Sequence, residues 1–337
     1  MQKLIFAGWV LASIAISLFL FLLTPVSGVP NRVEVEIVPG SGFGDIAAML
    51  AEKGVVRSKI NFLIYGGLTG SAHLLKPGNY SLNSASSTPA ILGVIVRGPR
   101  IDVAVTIPEG ATLKDIEALL YRAGVVPLGV LGKVAVFELA KEYEFLRGAT
   151  RLEGFLFPDT YRFFKNSDTN TVVKKMLDNF EAKAWPLLGE CKVQSEKCKE
   201  LNFFEVLTAA SLLEKEVVSY RDRQLVTGIL YKRLNVGVGL NVDATIAYAK
   251  CGGAFVTCDD PRVYRKDLEF QSPYNTYLYK GLPPGPIGNP GLEAIEAALN
   301  PVQSDYFYYL SDPKTGRTIY SKTLDEHNDN RARYLGV

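Results

Sequence analysis

One stretch of this chain occurs twice. "VEIVPGSGFGDIAAMLAEKGVV", Val35–Val56, aligns without a gap on "VTIPEGATLKDIEALLYRAGVV", Val105–Val126. Identical residues fall at Val35/Val105, Ile37/Ile107, Gly40/Gly110, Asp45/Asp115, Ile46/Ile116, Ala48/Ala118, Leu50/Leu120, Gly54/Gly124, Val55/Val125 and Val56/Val126. Each copy reads as a short alternating strand, a glycine turn and a helix with apolar residues at helical spacing. A glycine then stops the helix, where a residue of positive φ is needed. Two copies are too few for a solenoid. The repeat therefore predicts two small β-α modules, the first over residues 30–100 and the second, with its connector, over 101–148. "LLKPGNYSL", Leu74–Leu82, supplies a further strand to the first.

Upstream, Leu4–Leu23, "LIFAGWVLASIAISLFLFLL", carries no charge. At 1.5 Å rise per residue it would span roughly 30 Å, the thickness of a bilayer core. The run predicts a transmembrane anchor within residues 1–25, with Lys3 favouring a cytoplasmic N-terminus. A cleaved signal peptide is the rival, but the run exceeds the usual apolar region of one, and "TPVSGVP" is a poor cleavage site. Under either reading the remainder leaves the cytoplasm. The anchor predicts a single-pass protein of the cytoplasmic (inner) membrane, its bulk on the periplasmic side and that membrane a partner surface.

The cysteines agree with export. Cys191 and Cys198 lie seven apart, as do Cys251 and Cys258. Two close pairs in an exported chain read as two short disulfide loops; four free core thiols are the alternative. The two histidines, His73 and His327, lie far apart, and neither HExxH nor CxxC occurs, so no metal or other cofactor is expected. Net charge is +2 with no long basic run, which gives nucleic-acid binding no support.

Residues 150–337 read as one α+β domain. Helical patterns run from about Thr171 to Leu188, Phe203 to Val218 and Tyr220 to Asn235, with a short helix at Leu292–Pro301 and two strands around the "PKTG" turn. The helix from Phe203 starts at a capping-box-like Asn202 with Glu205 three residues on. At about 100° per residue, Phe203, Val206, Leu207, Ala210, Leu213 and Val217 share one arc. Glu205, Thr208, Lys215 and Glu216 fall on the other side. Glu214 falls inside the apolar arc, between Phe203 and Leu207. A buried carboxyl is costly to ionise, so its pKa rises toward what a general acid needs. A carboxylate paired with a buried arginine in a structural role fits the periodicity equally well.

Several separate segments resemble one family. "EGFLFPDTY" (Glu153–Tyr161), "ASLLEKE" (Ala210–Glu216), "LNVDATIAYA" (Leu240–Ala249), "SPYNTYLYKGLPPGPIGNPG" (Ser272–Gly291) and "HN" (His327–Asn328) are similar, in that order, to motifs of the endolytic murein (lytic) transglycosylases, the YceG-like family. The resemblance implies a fold of an N-terminal membrane anchor, LysM-like β-α modules and a mixed α+β catalytic domain. It implies Glu214 as the catalytic acid/base. The family more often carries a longer polar side chain where this chain has Asn241.

The implied reaction cuts the β-1,4 bond between N-acetylmuramic acid and N-acetylglucosamine inside peptidoglycan glycan strands, leaving 1,6-anhydro ends and terminating nascent strands. Cell-wall synthases or division proteins are then candidate partners. Ser272, Tyr274, Asn275, Thr276 and Tyr277 are candidate groove residues, since aromatic faces pack on sugars and amides and hydroxyls bond them. Asp243 reads by default as a helix N-cap and, by resemblance, as a site residue; Glu153 is expected to hold the aromatic loop beside the substrate. Two other functions stay open. A muramidase-type hydrolase would need a second carboxylate, which Asp159, Asp243 or Glu153 could supply. A non-catalytic glycan-binding scaffold would need no buried acid.

Overall fold

A computed structural model describes residues 2–99, 102–189 and 201–336. The chain divides into two compact units, Met1–Ile101 and Asp102–Val337. The first opens with helix α1 (Gln2–Leu22), followed by β1 (Arg32–Ile37), α2 (Phe43–Glu52), α3 (Lys59–Leu68), β2 (Gly78–Asn83) and α4 (Thr88–Arg97). β1 and β2 pair antiparallel, with Val35 opposite Tyr80. Val35 and Ile37 point inward and their glutamate neighbours outward, as a half-buried strand requires. They meet Ile46, Leu50, Phe62, Ile91 and Ile95 in one core.

The expected single-pass anchor, and the inner-membrane location drawn from it, is not met. Helix α1 does form, but among the described residues no helix is long and apolar enough to cross a membrane. The far end of α1 belongs to the first unit. Asn61 Nδ2 donates to Phe19 O at 3.1 Å, the Arg57 guanidinium lies 5.1 Å from the Phe21 ring centroid, and Leu23 is buried, its carbonyl accepting from Thr88 N. From Phe6 to Leu18, ahead of those contacts, the helix rises only about 20 Å.

The second unit holds β3 (Asp102–Thr106), α5 (Leu113–Arg122), α6 (Val136–Leu139), β4 (Thr160–Phe164), α7 (Thr169–Lys183), α8 (Trp185–Leu188), α9 (Phe203–Glu216), α10 (Tyr220–Asn235), α11 (Asp243–Lys250), α12 (Leu292–Leu299), β5 (Tyr308–Ser311), β6 (Thr318–Ser321) and α13 (Leu324–Tyr334). β3, from the second sequence repeat, pairs antiparallel with β4, Val105 opposite Tyr161. Its core is continuous with that of the rest of the unit: Val105, Ile116 and Leu120 share one cluster with Phe155, Leu207 and Ile295.

The repeat is larger than its gapless segment. Tyr80 and Tyr161 each face the equivalent valine, and each donates its hydroxyl to the carbonyl four residues back, Lys76 and Phe157. Each follows a proline by three positions, Pro77 and Pro158. Seven residues after each tyrosine comes a helix cap, Ser87 for α4 and Asp168 for α7. Both copies share a β-α-β-α frame, with α3 inserted before the second strand of the first and α6 before that of the second. The connection between helix and second strand is longer in the second copy, which hides the match from a gapless comparison.

The capping box of α9 is present: Asn202 accepts from Phe204 N and Glu205 N, and Glu205 returns to Asn202 N. Val206 through Leu213 are all buried, so α9 is enclosed on every side, against α10, α11 and α12. Thr208 and Ser211 survive there because their hydroxyls donate to the carbonyls of Phe204 and Thr208. A disulfide joins Cys251 to Cys258, Cα atoms 5.3 Å apart. Cys191 and Cys198 lie outside the described residues.

Candidate active site

Glu214 stands in the last turn of α9 with its side chain 5% exposed. Oε1 accepts from Arg223 Nη2 at 2.6 Å. Oε2 accepts from Gly291 N at 2.8 Å. Arg223 comes from the first turn of α10, which Ser219 caps. Gly291 is the N-cap of α12, so the carboxylate also sits at the positive end of that helix. Burial raises the Glu214 pKa above its ordinary value; the Gly291 N–H and Arg223 oppose the rise, the nearby Glu109 charge adds to it, and Lys215 opposes it.

Three loops converge here, and buried Asn289 ties them together. Its backbone N–H donates to Ala111 O, and its carbonyl accepts from Gly110 N. Its amide donates to Ala111 O and to Glu153 Oε1, and accepts from Leu156 N. The turn after β3 is thereby pressed against the acid. Gly110 has φ +73°, and a Cβ there would lie 3.2 Å from Glu214 Cγ. A Cβ on Gly291 would overlap the Glu109 carboxylate at 1.9 Å. Only glycine lets Glu109 approach this closely.

Glu153 is buried beneath this turn. It accepts from Leu113 N, Asn289 Nδ2 and Tyr248 OH. Burial pushes its pKa up to about 7 against those hydrogen bonds. It thus supports α5 and the loop rather than facing a groove. Asp159 is engaged by Lys183 and Asn179, which lower its pKa.

Asp243 is not the N-cap. The cap position is Val242 and carries no side-chain cap bond. Asp243 instead accepts from Tyr277 OH at 2.6 Å. Glu216, which the helical plot left in solvent, is half-buried and lies against the start of α11. It accepts from Tyr309 OH at 3.2 Å and from the backbone N–H of Ala244. Burial, with the Asp243 charge beside it, pushes its pKa up to about 7.

The "SPYNTY" segment divides. Asn275 is fully buried, its amide donating to Leu268 O and Phe270 O and accepting from Tyr277 N. Thr276 is buried, its hydroxyl accepting from Val242 N. Ser272 accepts from Tyr274 N and turns the loop. Tyr274 packs on Tyr248 with centroids 5.0 Å apart. Asn241 sits at φ +53°, a left-handed conformation that asparagine tolerates better than longer side chains do. His327 stacks on Tyr308 within the terminal helix and strand pair.

The sequence singles out Glu214 by its place in the apolar arc but carries no sign that Glu109, Arg223, Asn289 or Gly291 lie beside it. Gly110 could have been flagged by its identity with Gly40. A cavity of about 740 Å³ lined by residues including Lys133, Glu138 and Lys174 shares no residue with this cluster.

The profile of the YceG-like family matches residues 35–333. Among known proteins, the chain is similar to an endolytic murein transglycosylase of Bacillus subtilis (strain 168). The two are 32% identical over 319 residues, which cover 90% of this chain and 85% of that protein. It is 31% identical over 330 residues to an endolytic murein transglycosylase of Streptococcus pneumoniae, of whose length it spans 58%. The crystal structure of a yceG-like protein from Listeria monocytogenes superposes with a TM-score of 0.56 at 33% identity, covering 90% of this chain and all of that one.

Proposed function

Because the chain belongs to the YceG-like family, we propose that it is an endolytic murein transglycosylase acting within peptidoglycan glycan strands. The observation that carries this reading is Glu214, one buried carboxyl bracketed by a guanidinium and a backbone N–H. Such a group can hold a proton through burial and be stabilised once it has lost it.

In the proposed reaction Glu214 protonates the glycosidic oxygen as the C1–O bond of the muramoyl unit breaks, and charge develops at C1. The resulting carboxylate then takes the proton of the muramoyl 6-hydroxyl, and O6 closes on C1. One strand leaves with a free 4-hydroxyl and the other with a 1,6-anhydro end. No water is consumed, and Glu214 ends protonated, as it began. Tyr274 and Tyr277 offer aromatic surface to the sugar rings, whereas Ser272, Asn275 and Thr276 hold the loop that carries them.

A hydrolase reading has one observation in its favour: Glu109, an exposed second carboxylate against Gly291. Mass spectrometry of glycan strands digested by the full chain separates the two. Anhydro ends support transglycosylation, reducing ends replace it with hydrolysis, and uncut strands reject both.

A further inference from the structure

We propose that Arg223 is a positioning residue that fixes which oxygen of Glu214 carries the catalytic proton, assigning it to Oε2. The inference rests on the functional reading above. A guanidinium is all donor and keeps its protons. Glu214 Oε1, 2.6 Å from Nη2, therefore has to accept in both ionisation states. A neutral carboxyl has one carbonyl oxygen and one hydroxyl oxygen. Oε2 also faces a pure donor, the Gly291 N–H, but a neutral one. A carbonyl oxygen accepts better than a hydroxyl oxygen, so the carbonyl oxygen goes to the charged guanidinium. The hydroxyl, still accepting from Gly291 N through a lone pair, falls to Oε2. That atom lies at Gly291, beside the turn that carries Gly110 and Glu109. The scissile oxygen must then approach from this side. After proton transfer the Gly291 N–H, 2.8 Å away, meets a fully charged acceptor and steadies the carboxylate for the second step.

The guanidinium is itself held. Its side chain is 6% exposed, Nε donates to Val217 O at 3.1 Å, and Nη1 faces Glu293 Oε2 at 3.4 Å. Two anchors besides Glu214 fix the plane of the fork, so it cannot turn to present a different edge. The charged groups facing Glu214 are Arg223 from α10, Lys215 from its own helix and Glu109 from the turn after β3. Glu293 of α12 faces Arg223 in turn.

The test uses the full chain as wild type, Arg223→Gln, Arg223→Lys and Glu293→Gln, with folding checked by circular dichroism. Glycan cleavage is followed against pH, and the Glu214 carboxyl is titrated by 13C NMR, its signal assigned by loss in Glu214→Gln. Arg223→Gln keeps a donor but removes the charge. Its kcat should fall by up to about 10²-fold with KM little changed, and the basic limb should move up by about 1–3 pH units. Arg223→Lys keeps the charge and loses the fork, so kcat should fall while the limb stays near wild type. Glu293→Gln, at an exposed carboxylate, should move the limb slightly down, because Arg223 then acts on Glu214 alone.

A limb and an NMR titration unmoved in folded Arg223→Gln would overturn the proposal. If that variant does not fold, Glu293→Gln decides by the same two readouts. The NMR titration needs no turnover. A wild type that leaves strands uncut would therefore sink the functional reading, while the titration still tests whether Arg223 sets the carboxyl's state.

Discussion

The same β-α-β-α plan is used twice, and the two copies differ most at the turn after the first strand. In the first copy that turn is Pro39-Gly40, and a Cβ on Gly40 would meet nothing within 4 Å. Helix α2 behind it begins at Gly42 without a side-chain cap. In the second copy the turn is Glu109-Gly110, hydrogen-bonded to Asn289 and pressed on Glu214. Helix α5 behind it has a full capping box of Thr112 and Asp115, and Leu113 N is taken by Glu153. The internal turn geometry is shared: Ser41 N donates to Val38 O as Ala111 N does to Pro108 O. What separates the copies is the set of partners, and those partners set a common turn against Glu214.

The sharpest test of that difference is the acid itself. Glu214→Gln preserves volume and should leave both copies folded. Strand cleavage should drop by about 10²–10⁴-fold, read by mass spectrometry of digested glycans. Residual activity near wild type would detach the second copy's turn from any catalytic role.

A second difference is pH sensitivity. Folded Glu153 titrates at about 7 rather than 4.5. Below 4.5 it is protonated in both folded and unfolded chains. Between 4.5 and 7 the unfolded chain releases a proton that the folded chain keeps, so stability of the second unit falls as pH rises through that window. Above 7 the loss is complete, of order 3 kcal/mol. Glu216 adds a slope of the same sign. Urea unfolding at pH 4.5 and 7.5 should show the decline, and Glu153→Gln should remove part of it. A flat profile in wild type would contradict the burial described for both carboxyls.

The disulfide loop leans on the second copy and on α9. Gly253 O accepts from Thr112 Oγ1, Val256 N donates to Asp115 Oδ1, and Phe255 lies under the Lys215 ammonium at 4.5 Å. Replacing Cys251 and Cys258 by serine should cost about 2–3 kcal/mol. The expected signature is a lower unfolding temperature of the second unit with that of the first unchanged.

The smallest effect is the most direct comparison. Gly40 and Gly110 both have positive φ, +89° and +73°. Alanine at either should cost about 1–2 kcal/mol of stability. Only Gly110→Ala should also slow glycan cleavage, because its Cβ crowds Glu214 and Lys215. Equal activity in both variants would remove the distinction between the turns.

Much of the local structure was legible. The caps at Asn202 and the extents of α9, α10 and α12 followed from spacing, because a helix is set by residues three and four apart. The repeat was read only to Val126, since an insertion before β4 breaks the register. The helical plot put Glu214 among the buried residues, as the structure has it, but put Glu216 and Thr208 in solvent. It assumes one wet side, and α9 has none along most of its length. The apolar run at the start supported a helix but not a span, because contacts with Asn61 and Arg57 lie far along the chain.

The sequence by itself determined where strands and helices begin and stop, which turns need glycine, and which carboxyl lies out of pattern. These depend on neighbours along the chain. Only the tertiary structure decided what surrounds that carboxyl. Gly291 is 77 residues from Glu214, and the Asn289 amide reaches Ala111 across 178. A carboxyl's proton affinity answers to every charge, dipole and apolar atom within a few ångströms, whatever their distance along the chain.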